Sequence, residues 1–190
     1  ADEDATALND HLRDPRGGAL SDVFTYADGP PGRLPNSGIQ APTMTYIKHA
    51  LDDVLSGAGE QDDIYLFFSA RGQATYEHPE GYISAADTDK QRPSTGIRVA
   101  ELAAFLKRSN ARRIFLFADV CREASINRFD TRINLRLVDL QKSKRSLEVV
   151  LASGPSQISV EIPDLHHGVF GYSLLAALQG QPFAAADASG

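Results

Sequence analysis

The stretch IYLFFSARG, residues 64–72, decides the predicted fold, because five apolar residues run without interruption into small residues and a single arginine. A continuous apolar run of this length is typical of a parallel strand that is buried on both faces. Two further runs have the same character, RIFLFAD at residues 113–119 and LEVVLAS at residues 147–153. We therefore expect an α/β fold with a mostly parallel central sheet, covered by helices on both faces.

Amphipathic helices are predicted before, between and after these strands. Residues 43–56 place Ile47, Leu51 and Val54 at helical spacing, which gives the segment one apolar face. The same periodicity predicts helices at residues 3–13, about 99–107 and about 169–178. This order of elements is expected of one α/β domain, which we assign to residues 1–182.

The remaining segments are predicted to be less regular. Residues 21–26 alternate in polarity as a short strand does, and residues 28–38 are dense in Pro and Gly, which indicates a loop. Residues 75–84 indicate a polar hairpin. Residues 122–146 are charged and only weakly periodic, so we expect a mostly long, exposed loop there. Residues 183–190 are predicted to be a disordered tail.

The composition limits the classes of function. The 190 residues contain 19 Lys and Arg against 25 Asp and Glu, and the net charge of −6 argues against a general nucleic-acid binder. No apolar stretch approaches the roughly 20 residues of a membrane-spanning helix. No signal peptide is visible, and the single cysteine cannot form an internal disulfide. We therefore expect a cytoplasmic protein that binds neither nucleic acid nor membrane.

The predicted functional site lies at one edge of the sheet. Parallel sheets bind ligands beyond the carboxyl ends of their strands, and neighbouring strands lie about 4.8 Å apart. Three groups of residues follow the three apolar runs: residues 69–72, 119–122 and 153–154. If the three strands are neighbours, these groups converge.

Cys121 is the candidate nucleophile, because it follows its strand within two residues. The alternative is that Cys121 is a small buried hydrophobe, which is the usual state of a free cysteine. A cysteine peptidase also needs a base, normally His, that takes the thiol proton and returns it to the leaving amine. In caspases this His precedes the cysteine by roughly 50 residues. Counting back from Cys121 reaches Arg71.

Four segments carry motifs in a consistent order along the chain. They are Ser69-Ala70-Arg71-Gly72, then Gly81-Tyr82-Ile83 with Asp87, then Asp119-Val120-Cys121-Arg122, and finally Ala152-Ser153-Gly154-Pro155 with Glu161 and residues 168–175. On these residues the chain resembles the caspase-like domain (peptidase family C14) in its bacterial and metacaspase-like form. The resemblance covers about residues 1–180. It implies a caspase-like three-layer sandwich whose first strand would precede residue 1 and is missing from this chain.

The resemblance also implies roles for single residues. Cys121 occupies the nucleophile position, and the backbone N–H of Gly72 would stabilise the oxyanion together with that of Cys121. Asp119 would line the pocket for the substrate residue in members that cleave after Arg or Lys, and Ser153 belongs to the same substrate-binding region. The family has His in the Ser-Gly-His-Gly motif, and this chain has Arg71 there.

Arg71 changes the expected chemistry. A guanidinium holds its proton far too tightly to shuttle it near neutral pH, so Arg71 cannot replace the His as a base. It can stabilise a Cys121 thiolate, or form an ion pair with Asp119 that fills the pocket. It cannot readily protonate a leaving amine, and general acid–base catalysis is typically worth about 10²–10⁴-fold. We therefore expect a severe loss of peptidase activity.

The chain contains other residues of the types that act as bases or as metal ligands. The five histidines are His11, His49, His78, His166 and His167, and each is better explained as a helix or loop residue than as a substitute base. No cofactor is expected. Asp87 and Asp89 resemble the acidic positions at which some metacaspases bind calcium, although two carboxylates in a polar loop are usually only solvated.

Three functions remain open from the sequence. The leading one is a caspase-fold pseudopeptidase that binds a peptide or protein in regulation or signalling. The second is an active cysteine endopeptidase that cleaves after Arg or Lys with an unusual base. The third is an unrelated α/β domain in which Cys121 is merely buried. Partners are expected to be peptides or proteins, with a homodimer or association with other domains of a larger protein as further arrangements.

Overall fold

The three apolar runs form adjacent parallel strands at the centre of a five-stranded sheet. The computed structural model describes residues 2–27, 41–74, 81–89, 91–122, 132–142, 144–154, 161–162 and 167–181. The predicted loop at residues 28–38 and the tail at residues 183–190 lie outside the described residues.

Five α-helices are present in the described part of the chain. They are α1 (Asp2–Arg13), α2 (Met44–Gly57), α3 (Val99–Arg108), α4 (Arg132–Gln141) and α5 (Val169–Leu178). Four of them match the predicted helices to within two residues at each end.

The strands of the described residues form two sheets. They are β1 (Asp63–Gln73), β2 (Tyr82–Ile83), β3 (Ile97–Arg98), β4 (Arg113–Arg122), β5 (Leu147–Leu151), β6 (Glu161–Ile162) and β7 (His167–Gly168). The larger sheet has the order β3-β2-β1-β4-β5, with β1, β4 and β5 parallel and the two short strands antiparallel. β6 and β7 form a separate two-stranded sheet.

The main hydrophobic core lies on one face of the larger sheet. Alternate residues of β1, β4 and β5, such as Ile64, Leu116 and Leu147, are buried there against apolar side chains of α2, α3 and α4. Leu102 and Leu106 of α3 are completely buried, as the helical spacing predicts. Burial of these apolar side chains supplies most of the favourable free energy of folding.

α1 and α5 belong to the opposite face. Phe170 of α5 stacks on Phe67 of β1 with the ring centroids 6.4 Å apart. α1 and α5 contact each other, since the backbone N–H of Gly168, just before α5, donates to Asp4 of α1 at 3.2 Å. Helices therefore lie on both faces of the sheet, as predicted.

An ion cluster joins β1 to β4 at the amino edge of the sheet. Arg112 donates to the two carboxylate oxygens of Asp63 at 2.9 and 2.8 Å, and Arg113 donates to the same oxygens at 3.2 and 2.5 Å. These hydrogen bonds hold the pKa of Asp63 well below its usual range. The cluster fixes the register at the first pair of the ladder, Asp63 with Arg113.

The largest error of the sequence prediction concerns residues 122–146. Residues 132–141 form α4 rather than part of a long exposed loop, and Ile133, Leu137 and Leu140 are buried. Their spacing of four and three residues is helical, but the charged residues between them obscured it. The structure does not describe residues 123–131.

Two smaller corrections concern strand bounds. Both central strands run further than predicted, through Gln73 in β1 and Arg122 in β4, because each continues to find a hydrogen-bonding neighbour. Residues 21–26 form no extended strand pair and contribute only an isolated bridge at Tyr26. In the described hairpin region, only Tyr82 and Ile83 are paired as a strand.

The part of the chain that the structure describes contains no helix long and apolar enough to cross a membrane.

Candidate functional site

Arg71 and Cys121 are direct partners in the parallel ladder between β1 and β4. The same ladder pairs Ser69 with Asp119 and Gly72 with Arg122. Since neighbouring strands are about 4.8 Å apart, the two stretches that the sequence singled out lie side by side at the backbone. The predicted adjacency of Arg71 and Cys121 is confirmed, whereas their chemical roles stay a prediction.

The ladder continues past the predicted strand ends because Gly72 allows close packing. A Cβ atom at Gly72 would lie 2.4 Å from Cγ1 of Val120 and 2.6 Å from Cδ1 of Ile133, which is far inside van der Waals contact. Only glycine fits between β4 and α4 at this position. The absence of a side chain therefore decides how closely the end of β1 approaches α4.

β2 holds the end of β1 from the other side. The carbonyl oxygen of Arg71 accepts a hydrogen bond from the N–H of Ser84 at 2.8 Å, and Gly72 is the register partner of Ile83. N–H and C=O groups of alternate residues point to opposite neighbours along a strand. The N–H of Gly72 is consequently directed toward β4, so this N–H reaches an oxyanion only if the ladder opens at its end.

Arg71 is exposed at the carboxyl edge of the sheet. It lines a cavity together with Ser69, Ser84 and Thr88. Its guanidinium therefore contributes a fixed positive charge to this edge, since arginine stays protonated at every ordinary pH.

Asp119 is buried, with 3% of its surface exposed. A Cβ atom at Gly168 would lie 3.2 Å from one carboxylate oxygen of Asp119 and 3.4 Å from one of Asp4. The start of α5 and the first turn of α1 therefore cover Asp119. A ligand can reach the Asp119 carboxylate only if these two segments move away from it.

Asp4 is a residue of this region that the sequence prediction missed. It is 2% exposed, accepts the N–H of Gly168, and lies so close to Gly171 that a Cβ there would be 2.6 Å from its carboxylate. The available signal was its position four residues before Leu8, on the apolar face of α1. The helix dipole favours a carboxylate at a helix N-terminus, so Asp4 stabilises the start of α5.

Ser153 lies two residues beyond β5 and is buried at 9% exposure. The preceding residue, Ala152, donates its N–H to the carbonyl oxygen of Ala118 at 3.0 Å. The segment after β5 therefore stays paired with β4 at Ala118, one residue before Asp119. The ends of these two strands lie close together, as the sequence predicted.

The other candidate ligands have structural roles or lie outside the described residues. Asp87 accepts the N–H of Met44 at 2.7 Å and so caps α2, and Asp89 pairs with Arg92 at 2.7 Å. Of the five histidines, His11 and His49 lie on α1 and α2, His167 lies in β7, and the remaining two lie outside the described residues. Among the described residues, no group of three or more His, Cys, Asp and Glu could hold a metal ion.

In comparisons with known proteins, no family model, no curated protein and no solved structure matches the chain. At the carboxyl edge of the sheet the backbone pairs Arg71 with Cys121, and the nearby Asp119 is buried.

Proposed function

We propose that the chain is a caspase-like domain with a three-layer sandwich fold that has lost peptidase activity and acts by binding a peptide or protein. The observation that carries this proposal is the register of Arg71 with Cys121. A cysteine peptidase of this kind needs a base beside its nucleophile, and the backbone provides that position. The residue at that position is an arginine.

The chemistry of arginine supports the loss of catalysis. Arg71 can favour a thiolate at Cys121 through its positive charge, but it cannot take up and return a proton near neutral pH. Attack of the thiolate on a peptide carbonyl would form a tetrahedral intermediate, and its collapse requires a proton for the leaving nitrogen that Arg71 does not give up. The loss of general acid–base catalysis alone slows such a reaction by about 10²–10⁴-fold.

The geometry around the two residues supports the same conclusion. Asp119 is covered by Gly168 and Asp4, so the pocket for a basic substrate residue is closed in this conformation. The N–H of Gly72 is directed into the β1–β4 ladder rather than into open space. The covered carboxylate and the ladder N–H belong to this conformation, and the arginine in place of a base is the change that removes proton transfer.

The test is hydrolysis of fluorogenic peptides that end in Arg or Lys. The wild-type chain and Cys121→Ala should release the fluorophore at the same rate as buffer. Turnover by the wild-type chain that disappears in Cys121→Ala would instead establish an active cysteine endopeptidase with an unusual base. Labelling with iodoacetamide adds an independent readout, because a thiolate beside Arg71 should react faster than a free thiol of ordinary pKa near 8.5.

A further inference from the structure

A polar groove lies between the first turns of α2 and α3 and the turn that precedes β3. We call it the α2–α3 groove. Its volume is about 410 Å³, within the range of about 300–1,000 Å³ that is usual for small-ligand sites. No residue of β1 or β4 belongs to its lining, so the groove is separate from the pair of Arg71 and Cys121. The lining includes Lys48, Ser94, Gly96, Arg98 and Glu101.

Two cations and one carboxylate line the α2–α3 groove. Nζ of Lys48 lies 2.7 Å from Oε1 of Glu101, so these two charges offset each other. Arg98 is exposed and forms no ion pair with any residue that the structure describes. The groove therefore carries one positive charge in excess, at the guanidinium of Arg98.

Two uncharged donors line the same groove. Gly96 is buried, and its N–H donates to no residue in the described part of the chain. A buried N–H without a partner is rare in folded proteins, because leaving it unpaired costs free energy. The exposed hydroxyl of Ser94 also makes no hydrogen bond to a described residue. Both groups are therefore available to the acceptor atoms of a ligand.

The turn that carries these two donors is held in place by its own hydrogen bonds. The hydroxyl of Thr95 donates to the carbonyl oxygen of Arg92 at 2.8 Å and accepts the N–H of Asp89 at 2.9 Å. Nε of Arg92 donates to the carboxylate of Asp89 at 2.7 Å. Ser94 and Gly96 are thus positioned before a ligand arrives, which lowers the entropic cost of binding.

The donor set suits a phosphate monoester better than a carboxylate. A phosphate monoester has three terminal oxygens and a charge of about −1.5 to −2 at pH 7. A planar carboxylate has two oxygens, which the fork of a single arginine satisfies. Here a guanidinium, an ammonium, a hydroxyl and a backbone N–H reach the groove from α2 and from the segment that leads into α3. Donors from several elements match a tetrahedral group.

We propose that the α2–α3 groove binds a phosphate monoester, carried either by a small molecule or by a phosphorylated side chain of another protein. Arg98 and Lys48 neutralise the phosphate, and Ser94 and the N–H of Gly96 donate to its remaining oxygens. This site requires neither Arg71 nor Cys121, so it is independent of the loss of peptidase activity.

The test is calorimetric titration of the whole 190-residue chain with two phosphate monoesters. One is O-phosphoserine, and the other is the peptide AVSVA, blocked at both ends and phosphorylated on its serine. We expect both to bind and the unphosphorylated peptide not to bind. A phosphopeptide that binds at least about tenfold more tightly than O-phosphoserine would identify a phosphorylated protein as the source, and equal affinity would identify a small molecule.

Three substitutions test the assignment of the charges. Arg98→Gln should weaken binding by about tenfold or more, because it removes charge-assisted hydrogen bonds. Glu101→Gln should tighten binding by about threefold or more, because it removes the carboxylate of the groove and releases Lys48. Arg145→Gln is the matched control, since Arg145 is an exposed arginine outside the groove, and it should leave the affinity unchanged.

Nuclear magnetic resonance gives a readout at the groove itself. The amide proton of Gly96 should shift downfield when O-phosphoserine is added, because it gains a hydrogen bond to an anion. Gly59 is the control, since its N–H already donates to Asp62 at 2.8 Å and should not shift.

Several results would overturn the proposal. They are a failure of both phosphate monoesters to bind at about 10 mM, binding that Arg98→Gln leaves unchanged, and binding that Glu101→Gln weakens. Binding that leaves the amide of Gly96 unshifted would place the phosphate elsewhere on the protein and would equally overturn it.

Discussion

Arg71 and Cys121 face each other as Cα partners in the ladder that joins the two central strands. This relationship is fixed by ten consecutive pairs, from Asp63 with Arg113 to Gly72 with Arg122. A shift of one residue would exchange the two faces of a strand and turn the charged residues at the ends of β1, Asp63 and Arg71, toward the core face, which disfavours that register. The position of Arg71 beside the cysteine is therefore a property of the whole sheet.

Gly72 should be intolerant of substitution. Gly72→Ala adds a Cβ atom within 2.6 Å of Val120 and Ile133 side-chain carbons, and overpacking of this kind costs about 1–3 kcal/mol. Gly57→Ala is the control, because a Cβ atom there meets nothing within 4 Å. It should be neutral or stabilising by up to about 1 kcal/mol. Urea unfolding followed by circular dichroism measures both, and equal stability of the two variants would contradict the close packing of β1 on α4.

α4 should contribute strongly to the free energy of unfolding. Leu137 is completely buried, so Leu137→Ala should destabilise the protein by about 2–5 kcal/mol. Val138, the next residue, is 40% exposed and provides the control. Val138→Ala should cost less than about 1 kcal/mol, as surface substitutions usually do. If both substitutions cost the same small amount, residues 132–141 do not pack as a helix against the core.

The ion cluster at Asp63 should make stability depend on pH. Arg112 and Arg113 hold the folded-state pKa of Asp63 below its unfolded value of about 3.9. The stabilisation is therefore complete above about pH 4 and is lost as the pH falls toward the lower folded pKa. Asp63→Asn should lower the urea midpoint at pH 7 and reduce the fall of that midpoint between about pH 4 and pH 2.

The exposed residue Asp22 offers a matched control for this effect. Asp22→Asn should leave both the midpoint at pH 7 and its acid dependence close to those of the wild type. An Asp63→Asn variant with an unchanged acid dependence would show that the two arginines do not stabilise the folded carboxylate.

The centre of the fold was predictable from the sequence, because continuous apolar runs and helical periodicity report burial directly. The runs that became β1, β4 and β5 contain few polar interruptions, and α3 shows its buried residues at regular spacing. α4 was missed because its buried face consists of Ile133, Leu137 and Leu140 among charged residues. A narrow apolar stripe in a charged segment reports burial only when the neighbouring elements are known.

The sequence predicted where the candidate site lies, but it did not predict which residues surround it. The count from Cys121 to Arg71 predicted their adjacency, and the two residues are partners near the carboxyl ends of neighbouring parallel strands. The burial of Asp119 was not predictable, because it depends on Asp4 and Gly168, which are distant in sequence.

The most direct test of the central claim is the peptidase activity of Arg71→His. If the site is that of a caspase-like peptidase lacking its base, this substitution should raise cleavage after Arg or Lys by about 10²-fold or more over the wild type, and Arg71→His with Cys121→Ala should abolish the gain. Arg145→His, the surface control, should stay inactive. A wild-type chain that already cleaves through Cys121, or an Arg71→His variant that gains no Cys121-dependent activity while remaining folded, would contradict the account.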